Sequence, residues 1–304
     1  MQKFIKNVLF FLSIPTIVLL ALFTGLTYLN KKSFDNYRLN ADIHTLFIGD
    51  SHVQMAINDS LLPFAKNLSQ NSESFKYSYY KLETLLKQNP SVKNVYLGCG
   101  YHSLSDYNDD YIFGIYSKDI SARYFFILPF REQLQTMVDN RKSLPTYIRN
   151  IFELGAHNIT QNKQPSFLGF YENTFENACI QDKSMSKRIQ NQFFDNGKVR
   201  GFSATKLFYL TQIINLCQNN QVQLRLINTP IHPIYKSKIP QKFLTHYDSI
   251  ATQSHLSLFD FNNLNLKDSC FIPDGDHVSA SGALLVTNYF IKQQSNFGFS
   301  SKKN

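Results

Sequence analysis

Tryptophan is absent from the 304 residues, although phenylalanine (27) and tyrosine (17) are abundant. Aromatic richness without tryptophan supplies contact area but names no ligand. The four cysteines, Cys99, Cys179, Cys217 and Cys270, include no Cys-x-x-Cys pair. That spacing argues against a metal knuckle or a thioredoxin-type site. Cys217 continues the apolar stripe of an expected helix and reads as a core residue; whether disulfides form stays open. No dense Lys/Arg run interleaved with aromatics occurs, so the net charge of +9 does not describe a nucleic-acid surface. Much of that charge (Lys3, Lys6, Lys31, Lys32 and Arg38) flanks one apolar segment. The scattered remainder suits an anionic membrane surface or envelope polymer better. Internal repeats and low-complexity segments are missing too.

What is present begins with that segment. Residues 8–29 carry no charge, and as a helix they would extend about 33 Å, enough to cross a hydrocarbon core of ~30 Å. Pro15 would kink such a helix without forbidding it. A cleaved signal peptide competes, with Lys3 and Lys6 as its basic start. However, the apolar run exceeds the ~7–15 residues of a signal core, no clear Ala-x-Ala site follows, and no cysteine follows to take a lipid. An uncleaved single-pass anchor over residues 1–32 is the expectation, with a polar linker at 33–41. The flanking charges disagree on orientation, since Lys31, Lys32 and Arg38 outweigh Lys3 and Lys6. An inside N-terminus is still expected, because single N-terminal anchors commonly carry exported domains and the chemistry below suits the envelope.

Beyond the linker, apolar runs alternate in period. Thr45-Leu46-Phe47-Ile48 is a short buried strand closed by Gly49. A weaker strand ends at Asn67-Leu68-Ser69. Phe75, Tyr79, Leu82 and Leu86 recur at helical spacing, and Asn94-Val95-Tyr96-Leu97 forms the next strand before Gly98-Cys99-Gly100. Late in the chain a helix marked by Leu207, Leu210, Ile214 and Cys217 precedes a strand at 222–227. A last strand at 257–261 follows, then a helix capped by Ser279. This order predicts an α/β domain over 42–295, a three-layer sandwich around a parallel sheet. Between roughly 111 and 201 the alternation is lost, which reads as an insertion covering the sheet edge or the site. Residues 296–304 read as a polar tail.

In such sheets functional groups gather beyond the carboxyl ends of the strands. Ser51, His102 and His232 each follow an expected strand, and Asp274-Gly275-Asp276-His277 follows the last. In Gly49-Asp50-Ser51, glycine permits a tight reversal after the strand, and the serine can lift its hydroxyl above the sheet. Asp-Ser also simply caps helices. In Asp274-x-x-His277 the spacing brings carboxylate and imidazole to one side, so the carboxylate can hold the tautomer. An Asp-Gly turn beside a surface histidine is the plainer reading. Asp276 is a weaker orienter, because adjacent spacing points it elsewhere. Asp50-x-His52 is a spacing used by metallophosphoesterases, but their Gly-Asn-His-Glu and Gly-His-x-His blocks are missing. No metal and no cofactor are expected, and His52 is taken to line the site or support the turn.

The two blocks together resemble the SGNH, or GDSL-like, hydrolase superfamily. Its members open on a Gly-Asp-Ser strand-turn, here Gly49-Asp50-Ser51, and close on Asp-x-x-His, here Asp274 and His277. The membrane-anchored envelope branch around D-alanyl-lipoteichoic acid and alginate acetylation proteins looks closest, by its anchor-plus-domain layout. The resemblance implies a serine esterase or O-acyltransferase acting on a cell-surface glycan or lipid ester, with Ser51, Asp274 and His277 as triad. It also implies partners in envelope biosynthesis or export. The family's second block supplies a glycine amide and its third an asparagine to the oxyanion hole. Here those blocks read Asn67-Leu68-Ser69-Gln70, with no glycine, and Gly98-Cys99-Gly100-Tyr101-His102-Ser103, with no asparagine. Asn67 or His102 is expected to donate instead, and His232 to line the substrate cleft unless its flanking prolines make it structural. The departures also admit a catalytically degenerate scaffold that binds glycan or assembles an export complex.

Overall fold

The computed structural model describes residues 1–160, 164–175, 179–253 and 256–296. Most of the tail expected at 296–304 lies outside them. Among the described residues, seven strands and eleven α-helices follow one another as α1 (Gln2–Asp35), β1 (Thr45–Ile48), α2 (Ser51–Ala56), β2 (Ala65–Asn67), α3 (Phe75–Gln88) and β3 (Asn94–Gly98). Next come α4 (Ser117–Tyr124), α5 (Phe130–Asp139), α6 (Leu144–Thr160), α7 (Asp182–Phe193), β4 (Phe194–Asp195), β5 (Lys198–Val199) and α8 (Ala204–Asn219). The series ends with β6 (Gln223–Asn228), α9 (Pro233–Ser237), α10 (Gln241–Gln253), β7 (Ser257–Asp260) and α11 (Ala280–Asn296).

Five strands form one sheet in the order β2-β1-β3-β6-β7, every neighbouring pair parallel. β1 is buried along its whole length, which explains its continuous apolar sequence rather than an alternating one. Its side chains still divide by the pleat. Leu46 and Ile48 join Val95, Leu97, Leu224 and Leu226 in the core under α3 and α8. Phe47, Tyr96 and Ile227 join Phe290 and Val286 of α11 on the other face. The result is a three-layer α/β sandwich. β2 and β3 lie on opposite sides of β1, so the crossovers leaving β1 and β3 diverge and open a crevice at the end of β1.

α1 extends past its apolar segment into the domain. Phe34 is buried in the main core, and Asn30 donates to the Gly155 carbonyl of α6 while accepting from Asn158 Nδ2. Phe23 packs on Phe125 and Phe152. α6 and the turn at Phe125 thus sit against α1, whereas later parts of the insertion reach the crevice. All four cysteines are free, and three of them are buried.

Candidate active site

Ser51 is the first residue of α2, which starts two residues beyond β1. Such an abrupt start requires bare backbone where β1 and β3 end side by side. A Cβ on Gly98 would lie 2.5 Å from Val53 Cγ2, and one on Gly49 (φ +157°) would lie 3.1 Å from the Gly98 Cα. Asp50 caps the helix by accepting the His52 amide at 3.0 Å. The Ser51 amide stands in the first turn, where no intrahelical carbonyl can reach it.

The second block arrives on the loop between β7 and α11. Gly275 adopts φ +67°, and a Cβ there would meet Met185 and His232, so glycine is needed for space and backbone alike. The loop is closed by Ile272 donating to the His277 carbonyl and by His232 donating to that of Gly275. Asp274 Oδ1 accepts the amides of Asp276 and His277, at 2.9 and 3.2 Å. Its Oδ2 accepts from His277 Nδ1 at 2.9 Å. That leaves the His277 Nε2 lone pair facing Ser51 Oγ, also at 2.9 Å. Ser51 and His277 are 226 positions apart in sequence. Burial alone would raise the Asp274 pKa, but His277 outweighs it and holds the carboxyl below its ordinary value.

Behind His277 lies a row of imidazoles. His52 sits 4.4 Å from the His277 ring on one side and stacks on His102 at 4.0 Å on the other. Both rings behind His277 meet a carboxylate: His102 Nε2 is 2.7 Å from Asp50 Oδ2, and His52 Nε2 is 3.2 Å from Asp276 Oδ2. Asp276 also accepts from Arg188 Nε and Gln192 Nε2, both at 2.7 Å. Burial and the neighbouring His52 push His102 down to about 4, against the pull of Asp50. Burial opposes charge on His52, yet Asp276 wins and raises it. Burial would raise the Asp276 carboxyl, but His52 and Arg188 hold it well below the usual range.

The ligand-capable atoms of His52, His102 and Asp276 lie within 4.8 Å of one another. They do not fit a metal centre. The two imidazole planes are only 18° apart and stacked, whereas imidazoles sharing an ion converge their in-plane lone pairs on it. The Asp276 carboxylate is already taken by a guanidinium. The cluster is a buried charge network that fixes the His277 surroundings.

The remaining expected residues sit elsewhere. Asn67 is fully buried, and its Nδ2 donates to the Val53 and Ile57 carbonyls at 3.0 and 2.8 Å. It ties down the end of α2 and has no donor left for an oxyanion, contrary to expectation. His102 is likewise committed to Asp50 and does not line the cleft above Ser51. His232 caps α9 through Nδ1 and meets Asp268 through Nε2; it braces the Asp274 loop rather than lining the cleft.

That cleft, of about 440 Å³, is bordered by Ser51, His277 and Asp274 together with Asn71, Ser72, Tyr107 and Arg188. Residues 172–175 of the insertion complete it. Arg188, Tyr107 and Asn173 escaped sequence reasoning because no motif or period distinguishes them from solvated neighbours. Only the loss of alternation marked the region as an insertion.

No family model and no curated protein matches the chain. Among solved structures, it is similar to the psychrotrophic esterase EstA from a Pseudoalteromonas species, with 13% identity. That alignment covers 84% of this chain and 98% of that one, with a TM-score of 0.38. A GDSL-like lipase from Bacteroides thetaiotaomicron aligns at 8% identity over 86% of this chain and 91% of its own, also with a TM-score of 0.38. Likeness at this level assigns no residue roles; those rest on side-chain geometry.

Proposed function

We propose that this chain is a membrane-anchored serine esterase or O-acyltransferase of the SGNH type, acting on an ester of a cell-envelope glycan or lipid. The observation that carries the reading is the unbroken hydrogen-bonded line Ser51–His277–Asp274 at the floor of an open cleft. Ser51 Oγ bonds to the acyl carbonyl carbon while His277 Nε2 takes the hydroxyl proton. His277 then delivers that proton to the leaving alkoxide oxygen as its bond to the acyl carbon breaks. Water, or a sugar hydroxyl, attacks the acyl-Ser51 by the reverse sequence, giving hydrolysis or transfer. Asp274 holds the tautomer throughout. With Asn67 and His102 committed elsewhere, the Ser51 main-chain amide at the start of α2 is the oxyanion donor, and Asn71 and Ser72 border the same cleft.

The apolar segment of α1 is 34-residue-helix material with no part of its most apolar window buried, a property shared by membrane anchors and signal sequences. We read it as an anchor, with the site outside the cytoplasm. The alternative is a catalytically degenerate scaffold for envelope polysaccharide assembly or export, favoured by the departures in the second and third blocks and by the commitment of Asn67 and His102 to other partners.

The test uses the full chain in detergent and a fluorophosphonate probe. Wild type is expected to label, Ser51→Ala and His277→Ala not at all, and Asp274→Asn on the order of 10⁴-fold more slowly. Wild type that does not label would leave the scaffold reading standing. A reporter fused after Asn304 checks topology: a cytoplasmic signal would rule out an envelope substrate.

A further inference from the structure

α5 is amphipathic the wrong way round for a helix on a water-soluble domain. Its fully buried residues are polar, with Met137 half-buried beside them. Gln133 donates to the Phe125 carbonyl, and Thr136 and the capping Asn140 are buried and hydrogen-bonded within the insertion. Its outward face is apolar, with Phe130, Leu134 and Val138 at four-residue spacing and exposed by 73%, 47% and 55%. Residues at i, i+4 and i+8 form one stripe along a helix. Apolar side chains presented to solvent while polar ones are turned inward mark a surface that has another partner.

The position of α5 identifies that partner. Every large apolar side chain of α1 from Phe4 to Leu22 is exposed, whereas from Phe23 onward α1 begins to pack into the domain. α6 runs parallel to α1, since Phe23 meets Phe152, Leu26 lies against Gly155, and Asn30 bonds to Asn158. The start of α6 at Leu144 therefore lies about 12 Å along α6 from Phe152, on the side towards the apolar stretch. The end of α5 is joined to it by residues 140–143 alone. At its other end, the first turn of α5 shares a cavity with Thr27, Lys31 and Phe34 of α1. Exposed Arg131, Arg141 and Lys142 border the stripe, whereas Glu132 is engaged by Lys76 and Asp139 by Gln135.

We infer that α5 is a second membrane contact: its Phe130/Leu134/Val138 stripe lies in the lipid surface next to the point where α1 leaves the bilayer, with the bordering cations among the headgroup phosphates. Interfacial helices combine these same features, an apolar face at the acyl boundary and Lys/Arg that reach back to the headgroups. The contact would hold the domain at a fixed tilt. The inference rests on reading α1 as an anchor.

The absence of native tryptophan makes the test direct. Four single-tryptophan variants of the full chain, Leu19→Trp in α1, Leu134→Trp and Phe130→Trp in α5, and Leu284→Trp in α11, are reconstituted into phosphatidylcholine/phosphatidylglycerol vesicles containing nitroxide-labelled lipid. α11 lies across the sheet from the layer that holds α1, so Leu284→Trp is the water-facing control. Leu19→Trp, Leu134→Trp and Phe130→Trp are expected to emit at shorter wavelength and lose emission to the nitroxide; Leu284→Trp is not. Quenching of Leu19→Trp with both α5 variants unquenched overturns the inference and leaves the anchor. A blue shift at Leu134 without quenching assigns the stripe to a second copy of the chain and equally overturns it. An unquenched Leu19→Trp removes the anchor reading and the inference together.

Discussion

His102 is held neutral at ordinary pH, because burial and the adjacent His52 push its pKa down to about 4. An unfolded chain would protonate this residue near 6.5. As pH falls from 6.5 to 4, the unfolded state therefore binds a proton that the folded state refuses, and stability declines with acidification. At ~1.4 kcal/mol per pH unit, the full window corresponds to ~3 kcal/mol. His52, shifted the other way by Asp276, contributes stability that is complete below 6.5 and lost at higher pH, outside that window. His102→Gln should flatten the decline between pH 6.5 and 4, seen in thermal midpoints of the full chain in detergent. An unchanged slope would show that another group carries the titration. Neither Asn67 nor His102 could be read correctly from the sequence. An amide or imidazole after a strand suits an oxyanion hole as well as a tie, and only the carbonyls around Asn67 Nδ2 and the carboxylate beside His102 separate the two.

Among the elements, α2 is six residues long and has little intrinsic stability. It is held at its start by the Asp50 cap and at its end by Asn67, whose Nδ2 donates to two carbonyls of its last turn. Asn67→Ala would take the donor from the Ile57 carbonyl, while that of Val53 keeps the Ile57 amide, at a cost of about 1–3 kcal/mol. Folded Asn67→Ala should nonetheless keep the wild-type rate of fluorophosphonate labelling, because the residue touches no reacting atom. A rate lowered on the order of 100-fold or more would return Asn67 to the oxyanion hole. The strands and α3, α8 and α11 were legible because buried β and amphipathic helix patterns repeat over enough residues to be read. α5 was not. The lost alternation over 111–201 gave no hint of a helix whose apolar side faces outward, since periodicity reports a stripe but not what the stripe meets.

For the whole molecule, the boundary between the exposed apolar segment and the domain falls inside one helix. Phe34 lies in the core, and Asn30 satisfies Gly155 and Asn158. A chain beginning at Phe23 keeps both contacts. One beginning at Tyr37 loses a buried phenylalanine, worth about 3–5 kcal/mol, and orphans polar groups on α6 as well. The longer chain should melt close to the full protein, and the shorter one far below it or aggregate. Equal melting of the two would show that α1 contributes nothing to the domain.

The sequence by itself determined the alternation that builds the parallel sheet, the apolar length of α1, and the two short blocks Gly49-Asp50-Ser51 and Asp274-x-x-His277, which only the resemblance joined. These are local signals, set by backbone period and by groups within a few residues of one another. Tertiary structure decided the rest. Asp276 holds His52 and Arg188 rather than His277, His232 braces the acid loop, and α5 turns its apolar side outward. Each depends on which distant segment arrives beside a residue, and contact between segments far apart in the chain leaves no trace in spacing.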